Sequence, residues 1–224
     1  MVDDLGGGGT AESTRRALDR VIFFSDAVFA IAITLLVLPL TDVHLTDRNL
    51  ARQLLALWPQ VFSFALSFIV IGLFWLSHHR VFQVIVRVDR RLLFLNLLML
   101  MCVAFLPFPT AVLGDHGGQP AADVLYAASM SLLGLSSAAL WHHASQRHRL
   151  VPADLDPAVI RYVSIRSWLV PATFTPSILV ALFSPAAAKL IWVLTFPLSA
   201  VIDRWAAPSD HPRSRLRRWT GGRL

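Results

Sequence analysis

Asp26 lies inside the apolar run from Val21 to Leu40, and an ionisable side chain at such a position is costly unless a partner or water compensates it. The residues suited to that task are Arg20 and Ser25 on the same segment, Trp75, His78 and His79 at the end of the next apolar segment, and Asn96 at the start of the third. Their chemistry is hydrogen bonding and ion pairing. Metal chemistry has less to stand on. His142, His143 and His148 flank Trp141 without a convergent carboxylate or cysteine, which reads as interfacial anchoring, and His78 taken alone also reads as an interfacial anchor. The single Cys102 sits in an apolar run and has no pairing partner. Neither a cofactor nor an enzymatic reaction is expected.

Composition identifies the elements that must hold these groups. Of the 224 residues, 55% are hydrophobic and 15% charged, and the mean hydropathy of +0.59 marks a chain solvated by lipid. A backbone in lipid must satisfy itself internally, which takes about 20 apolar residues per helical span. Six segments qualify, near 18–40, 53–79, 92–113, 121–143, 161–183 and 186–203. Pro171 and Pro176 interrupt the fifth, and Pro197 lies in the sixth. The expected fold is an all-α membrane protein of six transmembrane helices. Its organisation is a disordered tail over 1–14, a transmembrane domain over 15–205 and a basic tail over 206–224. In the longest loop, 144–160, Asp156 before Pro157 reads as the N-cap of the fifth span.

The net charge of +6 suggests nucleic acid at first sight, but the arginines form short clusters between apolar runs and not one basic face. Nucleic acid is therefore not expected as a partner, and membrane lipid is. With both termini in the cytoplasm, all of the 20 basic residues except Arg48, Arg52 and Lys189 fall on the cytoplasmic side. That bias favours an even number of spans.

Antiparallel travel of the first three spans brings the polar groups to one depth, about 10 Å beyond Arg20 along the first helix. A hydrogen-bonded cluster of Arg20, Ser25, Asp26, Trp75, His79 and Asn96 is expected there. Ile31, Leu35 and Leu38 recur at helical spacing on another face, with Asp26 turned roughly 140° from Ile31. Phe24 and Arg20 continue this stripe toward the cytoplasm, and Thr34 flanks it. Taken alone, the stripe reads as helix packing or lipid contact.

The segment Arg20-Val21-Ile22-Phe23-Phe24-Ser25-Asp26 has the pattern R-x-x-x-F-S-D. It resembles the signature of the transmembrane protein 175 family of cation channels in its single-repeat prokaryotic form. Trp75, His78-His79 and Leu106-Pro107-Phe108-x-Thr110 extend the likeness over the first half of the chain. The resemblance implies a potassium-permeable channel of the cell membrane, built as a homotetramer with the first helix lining a central pore. It further implies a pore constriction at Ile31, followed by Leu35 and Leu38, a contribution of Thr34 to selectivity, and an architectural polar cluster that includes Phe24. The resemblance also implies that protons permeate some relatives, and other monovalent cations are expected as partners beside potassium. A hydrophobic constriction gates by dewetting, and the chain has no T-V-G-Y-G-like filter loop. The rival reading is a proton-coupled secondary transporter, which would also use a buried acid and broken helices. No broken helices occupy corresponding positions in two halves of this sequence.

Overall fold

Proline punctuates this chain because it lacks the N–H that helix propagation needs yet fits the first helical turn. In the computed structural model, which describes residues 6–42 and 49–206, proline opens or nearly opens most helices. The elements are α1 (Gly6–Leu35), α2 (Leu38–Thr41), α3 (Leu50–Ala56), α4 (Trp58–Val84), α5 (Arg90–Phe105), α6 (Pro107–His116), α7 (Pro120–Ser145), α8 (Pro157–Phe183) and α9 (Pro185–Ala206). Asp156 caps α8 as expected, its carboxylate accepting from the Ala158 N–H at 2.8 Å. Asp89 caps α5 in the same way, accepting from the Leu92 N–H at 2.7 Å.

Six helical segments are long and apolar enough to cross a membrane: Glu12–Thr41, Trp58–Val84, Arg90–His116, Pro120–His148, Pro157–Phe183 and Pro185–Ile202. They match the six expected spans, and no strand occurs among the described residues. Three details differ from the sequence reading. The first helix starts at Gly6, well before residue 15, and an exposed Glu12–Arg16 pair at 2.8 Å supports this added length at i,i+4 spacing. The second span begins at Trp58, because Pro59 in its first turn separates it from the short α3. The third span breaks into α5 and α6 at Leu106, where Pro107 cannot donate. The basic tail expected beyond Ala206 and the outer-loop residues Asp47 and Arg48 lie outside the described residues, as do residues 1–5 of the expected N-terminal tail.

The helix α7 is the hub of the bundle, packed against α5, α6, α8 and α9, while α1 rests on α4 and α5. Close approach of α7 and α8 depends on Gly134. A Cβ there would lie 2.7 Å from Cδ of the buried Pro171. The helix α8 runs unbroken through Pro171 and Pro176, which the sequence led us to expect as interruptions, and the Pro171 ring fits a notch that only glycine leaves. The main core joins Phe29, Ile71, Val103, Tyr126, Met130 and Trp192, and a second cluster joins Phe82, Leu92, Trp141 and Val151. The buried indoles keep their N–H groups satisfied: Trp192 donates to Ser177 Oγ at 2.8 Å and Trp141 to Ser164 Oγ at 2.9 Å.

Candidate pore helix and its anchoring network

The face of α1 that meets α4 and α5 carries Ser25 and Asp26 of the signature. Trp75 Nε1 donates to Asp26 Oδ1 at 2.8 Å, joining α4 to α1. Asn96 Nδ2 donates to Ser25 Oγ at 3.0 Å, and the Ser25 hydroxyl in turn donates to the Val21 carbonyl at 2.8 Å. The amide oxygen of Asn96 lies 2.9 Å from His78 Nε2. Three helices are therefore tied by one buried bridge, since Ser25, Asn96 and His78 are all at most 5% exposed. A hydrogen bond in this setting is hard to give up, because lipid supplies no substitute.

Not every residue expected in the cluster belongs to it. His78, read from sequence as an interfacial anchor, occupies the place expected for His79. One residue is about 100° of helical turn, which carries His79 to the exposed side, where its ring stacks on Trp75 and its Nε2 lies 2.9 Å from Gln83 Nε2. Arg20 and Phe24 stay on the exposed surface of α1, Phe24 with 54% of its area uncovered. Neither joins the hydrogen bonds around Ser25 and Asp26.

The opposite face of α1 is apolar and uncovered. Ile31 is 59% exposed, Leu35 39% and Leu38 50%, whereas Phe29, Ala32 and Leu36 between them are buried. Thr34 is exposed as well, with its hydroxyl donating to the Ile31 carbonyl at 2.8 Å. The oxygen lone pairs of that hydroxyl remain free to accept. The continuous helix ends at Leu35, and Leu38 opens α2. Pro39, in the first turn of α2, has no N–H to return to the Leu35 carbonyl, which accounts for the interruption.

Other polar contacts were not foreseen from sequence. Thr110 of the Leu106-Pro107-Phe108-x-Thr110 stretch lies 2.8 Å from Ser67 Oγ, which is also 3.1 Å from the Tyr126 hydroxyl. Lys189 lies 3.2 Å from the fully buried Asp123 carboxylate and also donates to the Gly117 carbonyl. The Lys189 charge is the partner that balances the buried Asp123 carboxylate among the described residues. At the other end of α7, His143 is buried and sits 2.8 Å from Asp89, and the Leu150 carbonyl accepts from the Val86 and Arg87 N–H groups. Burial raises the Asp89 carboxyl, but the Leu92 N–H, His143 and Arg149 outweigh it and hold the group below the ordinary carboxylate value. No group of three His, Cys, Asp or Glu residues suited to a metal occurs among the described residues.

The family profile described as endosomal/lysosomal potassium channel TMEM175 matches residues 20–107, which hold the α1 signature, Trp75, His78 and Asn96. A potassium channel of Streptomyces collinus is 43% identical over 155 residues, covering 66% of this chain and 74% of the relative. A potassium channel of Chamaesiphon minutus is 40% identical over 143 residues, covering 61% of this chain and 70% of the relative. The crystal structure of a lysosomal potassium-selective channel TMEM175 homolog from Chamaesiphon minutus superimposes with a TM-score of 0.72 at 28% identity, over 84% of this chain and 99% of that one. The chain belongs to the TMEM175 family.

Proposed function

We propose that this protein is a potassium-permeable channel of the cell membrane in which four copies surround an axis lined by α1. The observation that carries the reading is the division of α1 into two faces. One face is fixed to α4 and α5 through Asp26 and Ser25, while Ile31, Leu35 and Leu38 stand uncovered on the other. An apolar stripe of this kind alone would suit lipid. A helix held on one side by buried polar bonds, in a chain whose relatives are named potassium channels, is better read as a pore lining.

In such an assembly each side chain of the stripe recurs around the axis. Ile31 forms the narrowest ring, Leu35 and Leu38 form rings beyond it, and conduction depends on whether these rings hydrate. Thr34 offers a hydroxyl oxygen to a partly dehydrated cation and contributes to the preference for potassium. The anchoring network keeps the stripe in register with the axis. Both termini lie in the cytoplasm, because that orientation places most arginines inside. No chemical step and no cofactor are involved.

The test is reconstitution of the full chain in liposomes, with flux recorded under separate potassium and sodium gradients. Downhill potassium flux is expected, raised by Ile31→Asn and lowered by Ile31→Phe. Thr34→Val should retain flux while narrowing the gap between potassium and sodium. Flux that obligatorily requires a proton gradient would instead identify a transporter.

A further inference from the structure

The uncovered face of α1 does not end with its apolar stripe. At about 100° and 1.5 Å per residue, Phe24 and Arg20 each fall within about 20° of Ile31, about 10 Å and 16 Å nearer the start of the helix. Both are exposed. Arg20 enters no hydrogen bond or ion pair among the described residues. The other charges on this part of α1 are turned away or matched. Asp26 points about 140° from Ile31 and accepts from Trp75. Arg15 stands about 160° from Ile31, and Asp19 is rotated about 100° from Arg20. Arg16 pairs with Glu12 at 2.8 Å.

From residue 20 to residue 38 the stripe therefore carries a single charge, and its sign is opposed to cation entry. Rings of carboxylates favour cations at a pore mouth, whereas rings of arginine favour anions. Retention of positive residues in the cytoplasm accounts for the sign of Arg20 but not for its angle. A guanidinium also keeps its charge throughout the accessible pH range, so the effect is permanent.

We infer that Arg20 forms a positive ring at the cytoplasmic mouth of the conduction path and limits the entry of potassium from that side. The ring exists only if α1 lines the pore in four copies, as proposed. With about 8 Å of water between each guanidinium and the axis, and a Debye length of about 10 Å near 0.1 M salt, potassium at the mouth is depleted about fivefold. Near 1 M the Debye length is about 3 Å, and the depletion falls to about 1.3-fold. The ring at Ile31, about 16 Å away, lies beyond the Debye length in both conditions. Arg20 thus governs entry and leaves the constriction to Ile31. Outward current is the smaller at low salt, and the two directions converge at high salt.

The measurement is single-channel recording of the full chain, inserted with known orientation into bilayers of uncharged lipid, in symmetric potassium chloride from about 0.1 M to 1 M. Wild-type outward current should fall below inward current by up to about fivefold at the low end and approach it at the high end. Arg20→Gln should remove most of that asymmetry, while Arg20→Lys keeps the charge and should preserve it. The salt series on wild-type protein decides the matter if Arg20→Gln does not assemble. A wild-type current ratio independent of salt would overturn the inference, as would equal asymmetry in wild type and Arg20→Gln. Ile31→Asn is recorded alongside. If it alters conductance while the charge at position 20 has no effect, the ring alone is refuted, and if neither matters the pore reading falls with it.

Discussion

Replacing Asn96 with leucine should destabilise the protein by leaving buried polar partners unsatisfied, and removing the hydroxyl of Ser25 should do so through the hydrogen bond the two residues share. Asn96 is 2% exposed and joins Ser25 at 3.0 Å to His78 at 2.9 Å. Leucine keeps the branching of asparagine but is bulkier, so overpacking adds to the cost of the polar groups left behind. Ser25 loses an incoming donor but still donates to the Val21 carbonyl, and its loss is small. His78 is 5% exposed, and Nε2 has Asn96 as its partner. An unsatisfied buried group of this kind costs about 1–3 kcal/mol. In a chain of this size that corresponds to a fall in Tm of roughly 2–12 °C. Ser25→Ala leaves the buried Asn96 Nδ2 donor without its acceptor and should also cost about 1–3 kcal/mol. Thermal challenge of the purified full chain followed by size-exclusion fluorescence measures both variants. Equal stability of wild type and either variant would refute the reasoning.

Three further outcomes follow from the packing and capping contacts. Trp75→Phe removes the donor to Asp26 and should lower the yield of assembled protein without altering the potassium to sodium ratio per assembled channel; lost selectivity with normal assembly would count against an architectural role. Gly134→Leu must displace Pro171 and should cost at least 1–3 kcal/mol of stability by overpacking, read from the same thermal assay, whereas the substitution Gly72→Ala meets open space and should be tolerated. Asp89 is held below its ordinary pKa in the folded protein, so its stabilising contribution is present above the unfolded carboxylate value and is lost as pH falls through the folded one. Acid titration of thermal stability should therefore show a steeper loss below the ordinary carboxylate range in wild type than in Asp89→Asn.

The spans were legible because lipid imposes a length and a composition that few other environments demand. The face geometry of α1 was legible for a related reason: a helix has a fixed angular step, so the separation of Asp26 from Ile31 can be computed before any contact is seen. The same arithmetic did not choose between His78 and His79, since that choice depends on how α4 is rotated against α1 and α5. Rotation is set by packing such as the stacking of His78 on Phe82 and its contact with Phe29. Arg20 was grouped with Asp26 on depth alone, while its angular position leaves it outside. The pairing of Asp123 with Lys189 joins residues far apart in sequence, and no local pattern announces it. Pro107 is visible in the sequence, but that it would divide one span into α5 and α6 without ending it depends on the neighbours that cover the break.

The central claim is that the uncovered face of α1 lines a water-filled path for cations, and accessibility tests it most directly. Cysteine is introduced at Ile31 in a Cys102→Ala background, and a membrane-impermeant cationic thiol reagent is applied while potassium flux runs in liposomes. Leu36→Cys serves as the comparison, since Leu36 is 2% exposed against 59% for Ile31 in the same span. The account predicts rapid block at position 31, slowed by high potassium, and no block at position 36. Potassium flux that continues unchanged at position 31, with the cysteine shown to be unreacted in water but reactive toward a lipid-soluble reagent, would place this face against lipid and contradict the account.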